Sequence, residues 1–141
     1  MSLIVCLFAA CAGGGNSPST NSAAPDNAKA ERKKQIALQN EVTNITTAAQ
    51  KFEKLGRGMD LLRKVSNPNS QRECVAQMED NQRQVADLET RINNLPDAYK
   101  IQLSPITGDL KECVSCEKTA MESCVKSRAA TNDAIQKLFP Q

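Results

Sequence analysis

The strongest constraint on the fold is a run of apolar residues at helical spacing. Leu38, Val42, Ile45, Ala49, Phe52, Gly56, Met59 and Leu62 recur at intervals of four and three. That pattern draws a heptad-like stripe down one side of an α-helix. A second stripe holds Cys74, Met78, Val85, Leu88, Ile92 and Leu95, with Asn81 inside it as a polar residue able to fix register. A third holds Leu110, Val114, Met121, Cys124, Ile135 and Leu138, with Arg128 and Thr131 as polar breaks. No segment alternates with the period of a strand. Beyond the first eleven residues the only aromatics are Phe52, Tyr99 and Phe139. A core of Leu, Ile, Val, Met and Ala suits packed helices better than a sheet, which favours β-branched and aromatic side chains.

Local signals divide the stripes. Helix 1 is expected to start at Asp26 or Asn27, both good N-caps, just after Pro25. Gly56-Arg57-Gly58 predicts a kink or a short interruption, because two glycines cost about 2 kcal/mol relative to alanine in a helix. A helical end piece, Met59 to about Ser66, should follow, and Asn67-Pro68-Asn69 reads as a turn. Ser70 and Glu73 have the spacing of a capping box opening helix 2. Pro96 ends that helix or begins a new short segment, and Ala98–Leu103 is ambiguous. Helix 3 is expected from Ser104-Pro105, or from Thr107, to about Leu138, with Pro140 blocking continuation. The expected fold is therefore all-α, disulfide-bearing and antiparallel. It is either a three-helix bundle or a long helical hairpin with helix 1 packed along it.

The N-terminus has a different character. Leu3–Phe8 is an apolar run, followed by Ala9-Ala10, then Cys11, then a Gly/Ser/Asn/Pro stretch. This is the layout of a secretory signal peptide ending at a small-residue cleavage site. The run is too short to span a bilayer, and Gly13-Gly14-Gly15 stops any helix there. Ala9-Ala10-Cys11 resembles the lipobox of bacterial lipoproteins. Phe8 stands where that family mostly has leucine, and no Lys or Arg precedes the apolar run. The resemblance covers residues 1–11 alone. It implies that residues 1–10 are removed and that Cys11 carries fatty acyl chains of the palmitate class. Cys6 is the weaker candidate for the lipid site, since Val5 before it is not small. The resemblance also implies an envelope location, facing the periplasm from the outer membrane, or at the cell surface, if the cell is Gram-negative. Residues 11–27 then form a low-complexity tether and residues 28–139 the helical domain. The sixteen residues from Ala12 to Asn27 average roughly 20–25 Å end to end, so the domain would stay close to the membrane.

Net charge is +2, too small to argue for nucleic acid. Its distribution is uneven. Lys29–Lys64 holds nine basic and four acidic residues, and Arg72–Asp97 holds three basic and six acidic. Two neighbouring helices with complementary faces would explain this, as would a basic first helix lying on an anionic membrane or cell-wall polymer.

Six cysteines are present. With Cys6 in the leader and Cys11 acylated, Cys74, Cys113, Cys116 and Cys124 remain, and an even count in an exported domain reads as two disulfides. In a straight helix 3, Cys116 lies at least about 12 Å from Cys124, beyond the roughly 7 Å that a disulfide allows. A turn centred near residue 100 sets Cys74 opposite Cys124, which leaves Cys113 to Cys116. The rival scheme bonds Cys74 to Cys113 or Cys116, needs a turn near residue 94, and strands Cys124.

Cys113-Val114-Ser115-Cys116 also invites sharper readings. A thioredoxin-like redox pair needs a βαβ context, absent here, and Glu112 and Glu117 flank it with charge that disfavours a thiolate. Haem attachment needs histidine at position 117, which is Glu. A four-cysteine zinc site is scattered over two helices. Asn44-Ile45-Thr46 matches a glycosylation pattern but lies on a helical stripe. With no histidine in the chain, no Ser/His/Asp or Cys/His set can form. No catalytic residue, metal site or cofactor is expected. The reading is a non-enzymatic envelope lipoprotein that binds an envelope protein partner or acts as a structural spacer. The alternative is a periplasmic thiol–disulfide redox factor using Cys113 and Cys116.

Overall fold

A computed structural model describes residues 24–140, with side chains from Asn27. Five helices follow one another: α1 (Ala24–Gly58), α2 (Asp60–Lys64), α3 (Pro68–Asn93), α4 (Asp97–Cys113) and α5 (Ala120–Leu138). The described residues contain no strand, so the fold is all-α. The long helices α1, α3, α4 and α5 run up, down, up and down. Cross-contacts fix these directions: Glu41 meets Arg91 while Asn81 meets Met59, and Cys74 is bonded to Cys116 while Glu89 meets Lys111. Short connections between antiparallel neighbours give an up-down bundle.

The first two stripes form the core as their spacing requires. Val42, Ile45, Ala49 and Phe52 of α1 pack with Val85, Leu88 and Ile92 of α3 and with Leu103, Ile106 and Leu110 of α4. Each of these ten is at most 5% exposed. At roughly 1.5–3 kcal/mol per buried large aliphatic side chain, this cluster dominates the favourable side of folding. Asn81 is buried in its stripe, its amide reaching the Met59 sulfur.

The ends of the elements differ in detail from the sequence expectation. Helix α1 already includes Asp26 and Asn27. Asn67, not Ser70, caps α3: its side chain accepts from the Ser70 backbone N–H at 2.8 Å, and Pro68 sits in the first turn, where no donor is needed. The interruption after Gly58 is a single residue, Met59, and the end piece is α2. The largest difference lies in the third stripe. Helix α4 starts at Asp97, directly after Pro96, and carries Pro105 inside it. Ile101, the residue whose carbonyl loses its partner to Pro105, is exposed, as Pro105 is. The chain then turns over Val114–Thr119, so the expected third helix is two antiparallel helices, α4 and α5.

Segment charge does not translate into pairing. The ion pair joining α1 to α3 is Glu41 with Arg91, at 2.9 Å. It takes an acid from the basic segment and a base from the acidic one. The Glu41 hydrogen bond raises the Arg91 pKa above its ordinary value.

Candidate functional site

The end of α4 is where the elements converge. The structure joins Cys74 to Cys116 and Cys113 to Cys124, with Cα separations of 6.0 and 4.5 Å. This corrects the expected Cys74–Cys124 and Cys113–Cys116 pairing. Two assumptions behind that expectation fail. The helix is not straight through Cys116, so α5 folds back and lays Cys124 against Cys113. The turn between α3 and α4 is at Asn94–Pro96 rather than near residue 100, which sets Cys74 opposite Cys116. The rival scheme had the right turn. Its objection, a stranded Cys124, disappears once the chain reverses at Val114–Thr119.

Other groups lock the same junction. Arg63 of α2 donates from Nε to the Ser115 carbonyl at 2.9 Å and from Nη2 to the Cys113 carbonyl at 2.8 Å. A cation on the last carbonyls of a helix also complements the helix dipole. Burial lowers the Arg63 pKa from its ordinary value, with Asp60 acting in opposition. Across the turn, the Ser123 hydroxyl donates to the Glu112 carboxylate at 2.8 Å. Helix α1 meets the junction through Gly56. A Cβ there would lie 2.5 Å from the Cys113 sulfur and 2.6 Å from the Cys113 carbonyl oxygen. Val114 and Ser115 are buried, and Cys116 is partly exposed. Every helix thus contributes to a junction built around residues 113–116.

Sequence reading finds the four cysteines but not their partners, nor Arg63 or the reason for Gly56. Nothing in the local sequence singles out Arg63 from the other basic residues of its segment. Cys113 and Cys116 are brought together, but in different bridges. A C-x-x-C redox pair works by closing and opening a bond between its own two sulfurs, and that bond is not the one formed here. Cys6 and Cys11 lie outside the described residues. Among the described residues no group of three potential metal ligands occurs, and no helix is long and apolar enough to cross a membrane.

Two open grooves flank α1, of about 410 and 430 Å³. The one towards α3 is lined by Lys51, Phe52, Arg83, Asp87 and Arg91 among others. The one towards α5 is lined by Lys54, Arg57, Arg128 and Glu53 among others. Arg57 Nε lies 2.6 Å from Glu53 Oε1, close enough for an ion pair but without the angle of a hydrogen bond. Lys51, Lys54 and Arg128 have no ion-pair partner among the described residues.

Comparison of the chain with protein-family models, with curated proteins and with solved structures finds no match.

Proposed function

We propose that the protein is an envelope lipoprotein, held to a membrane by acyl chains on Cys11 after residues 1–10 are removed. Its helical domain acts without catalysis, as a rigid spacer or as a binding module for an envelope protein. The observation that carries this reading is the apolar Leu3–Phe8 run leading through Ala9-Ala10 to Cys11. The cysteine arithmetic supports it. The four cysteines of the helical domain are consumed in two bridges, which suits an oxidising compartment and leaves Cys11 as the cysteine available for acylation at the cleavage point. A domain knotted at one end by two disulfides also has the stiffness that a spacer or a preorganised binding surface needs.

The test is Cys11→Ser with fractionation of the cells and metabolic labelling by a palmitate analogue. One acyl chain anchors marginally and stable attachment takes two or more, so removing the acceptor thiol should have a large effect. The variant should lose the label and appear in a soluble fraction or as an uncleaved precursor. A variant that is processed normally and stays as firmly membrane-bound as the parent would overturn the reading.

A further inference from the structure

The outward side of α1 carries a charge pattern that no partner within the bundle explains. At 100° per residue, Val42, Ile45, Ala49, Phe52 and Gly56 point one way, and each is buried. Lys29, Arg32, Lys33, Lys51 and Lys54 fall on the opposite side, and each is exposed. At 1.5 Å per residue the row is about 37 Å long. Ile36, 48% exposed, and Leu55, 40% exposed, lie in and beside it. The acids Glu31, Glu41 and Glu53 fall outside this side, by register. Asp26, in the first turn, is the one acid at these positions, against five basic residues. None of the five basic residues forms an ion pair among the described residues. From Asn27 to Ala37 every residue of α1 is exposed, so the helix projects past the core for about three turns. The groove towards α5 adds Arg128 beside Lys54, whereas in the groove towards α3 Arg83 is paired with Asp80 and lies near Asp87.

We propose that this face of α1 lies on a leaflet rich in anionic phospholipid, with α1 in the membrane plane and the bundle resting on it. Three observations select a leaflet over a soluble polyanion. The face is the outward side of one long helix rather than a cleft, which suits a plane better than a strand. Two exposed aliphatic side chains sit among the cations, where they can enter the headgroup layer. The sequence from Cys11 to Ala24 allows α1 to reach a membrane to which Cys11 is fixed. The proposal rests on the lipoprotein reading for that last point only, since charge and shape belong to the domain itself.

The experiment uses the full chain bearing Cys11→Ser, unlipidated, sedimented with vesicles. Vesicles of phosphatidylcholine alone are compared with vesicles in which about one third of the lipid is phosphatidylglycerol. Each basic residue at an anionic surface changes partitioning roughly five-fold. The parent should bind the anionic vesicles far more strongly than the neutral ones, and raising salt from about 0.1 to about 0.5 M should lower its binding to the neutral-vesicle level. Lys51→Gln with Lys54→Gln should lower partitioning roughly 25-fold. Replacing all five basic residues by Gln should bring it to the level seen on neutral vesicles, with helicity unchanged. Because each variant keeps residues 1–10, partitioning by the leader is common to all and cancels. Equal binding to both vesicle types, no binding to either, or a five-residue variant that binds like the parent would overturn the proposal. So would binding of the parent to inorganic polyphosphate without binding to anionic vesicles. None of these outcomes bears on acylation of Cys11, which the fractionation of Cys11→Ser tests separately.

Discussion

The two ends of α1 are built on opposite terms. Its C-terminal end, at Gly56, enters a junction where two disulfides, a half-buried guanidinium and a glycine contact hold the end of α4 to α1, α2, α3 and α5. Its N-terminal end, Asn27–Ala37, touches no core and carries Lys29, Arg32, Lys33 and Lys34 into solvent. One end is specified by close packing and covalent closure, the other by charge alone. The difference separates what holds the bundle together from what the bundle presents to solvent. Residues 113–116 can change little without loosening the whole fold, whereas the Asn27–Ala37 overhang is exposed throughout and a substitution there disturbs little packing. If the contrast is right, substitutions at the junction are costly and substitutions on the overhang are nearly free.

The covalent links should give the largest effect. Removing Cys74 and Cys116 together opens a closure of 42 residues, about 4 kcal/mol in the loop-entropy model. Removing Cys113 and Cys124 opens one of 11 residues, about 3 kcal/mol. Both are large beside the 5–15 kcal/mol typical of a domain. Denaturant titration should therefore show both double variants strongly destabilised, the first more than the second. A bond between Cys113 and Cys116 would close a single turn and matter far less, so a mild effect from losing Cys113 would break the account of the junction.

Arg63→Met comes next. It keeps most of the apolar stem and removes two charge-assisted hydrogen bonds to the Cys113 and Ser115 carbonyls, for about 2–3 kcal/mol in the same titration. A loss under about 0.5 kcal/mol would mean that solvent satisfies those carbonyls equally well.

The glycines of the Gly56-Arg57-Gly58 break sharpen the contrast within three residues. On sequence both are helix weaknesses, and replacement of either by alanine is expected to stabilise. The structure separates them. A Cβ at Gly56 runs into Cys113, whereas a Cβ at Gly58 meets nothing within 4 Å. Gly56→Ala should cost about 1–3 kcal/mol through overpacking, and Gly58→Ala should gain up to about 1 kcal/mol. The melting temperatures should move in opposite directions. The smallest effect belongs to the overhang, where Ile36→Ala should stay within about 0.5 kcal/mol of the parent, since Ile36 is half exposed and packs on no core residue.

How far the sequence revealed this follows from the chemistry of each helix. The stripes of α1 and α3 are legible because their buried positions are large and aliphatic: Val42, Ile45, Val85, Leu88 and Ile92. The turn at Asn67-Pro68 and the stop at Pro96 carry their own signals. Helix α5 is a different case. Its buried face is Ala120, Ser123, Cys124, Ser127, Thr131 and Ala134, a seam of small residues that lets helices approach closely and that a hydropathy pattern assigns to solvent. Thr131 reads as a polar break but is buried, its hydroxyl donating to the Ser127 carbonyl at 2.8 Å. The reversal at Val114–Thr119 contains neither glycine nor proline. It is closed by the Cys113–Cys124 bond and by Arg63 from far along the chain, so no local signal announces it. The disulfide pairing was legible only conditionally. Geometry prunes the choices correctly once the helix ends are known, and the unseen reversal carried the wrong pairing with it.

Residues 113–116 tie α3 and α5 to the end of α4 through two separate bridges. A non-reduced tryptic digest tests it directly. Cleavage at Lys and Arg places Cys74 in peptide 73–83, Cys113 and Cys116 together in 112–118, and Cys124 in 119–126. The structure predicts one covalent assembly of all three peptides. Fragmentation within 112–118 should then assign Cys116 to the 73–83 partner and Cys113 to the 119–126 partner. Recovery of 112–118 as a lone peptide with an internal bond, beside 73–83 linked to 119–126, would contradict the account. It would also remove the reversal at Val114–Thr119 on which the junction depends.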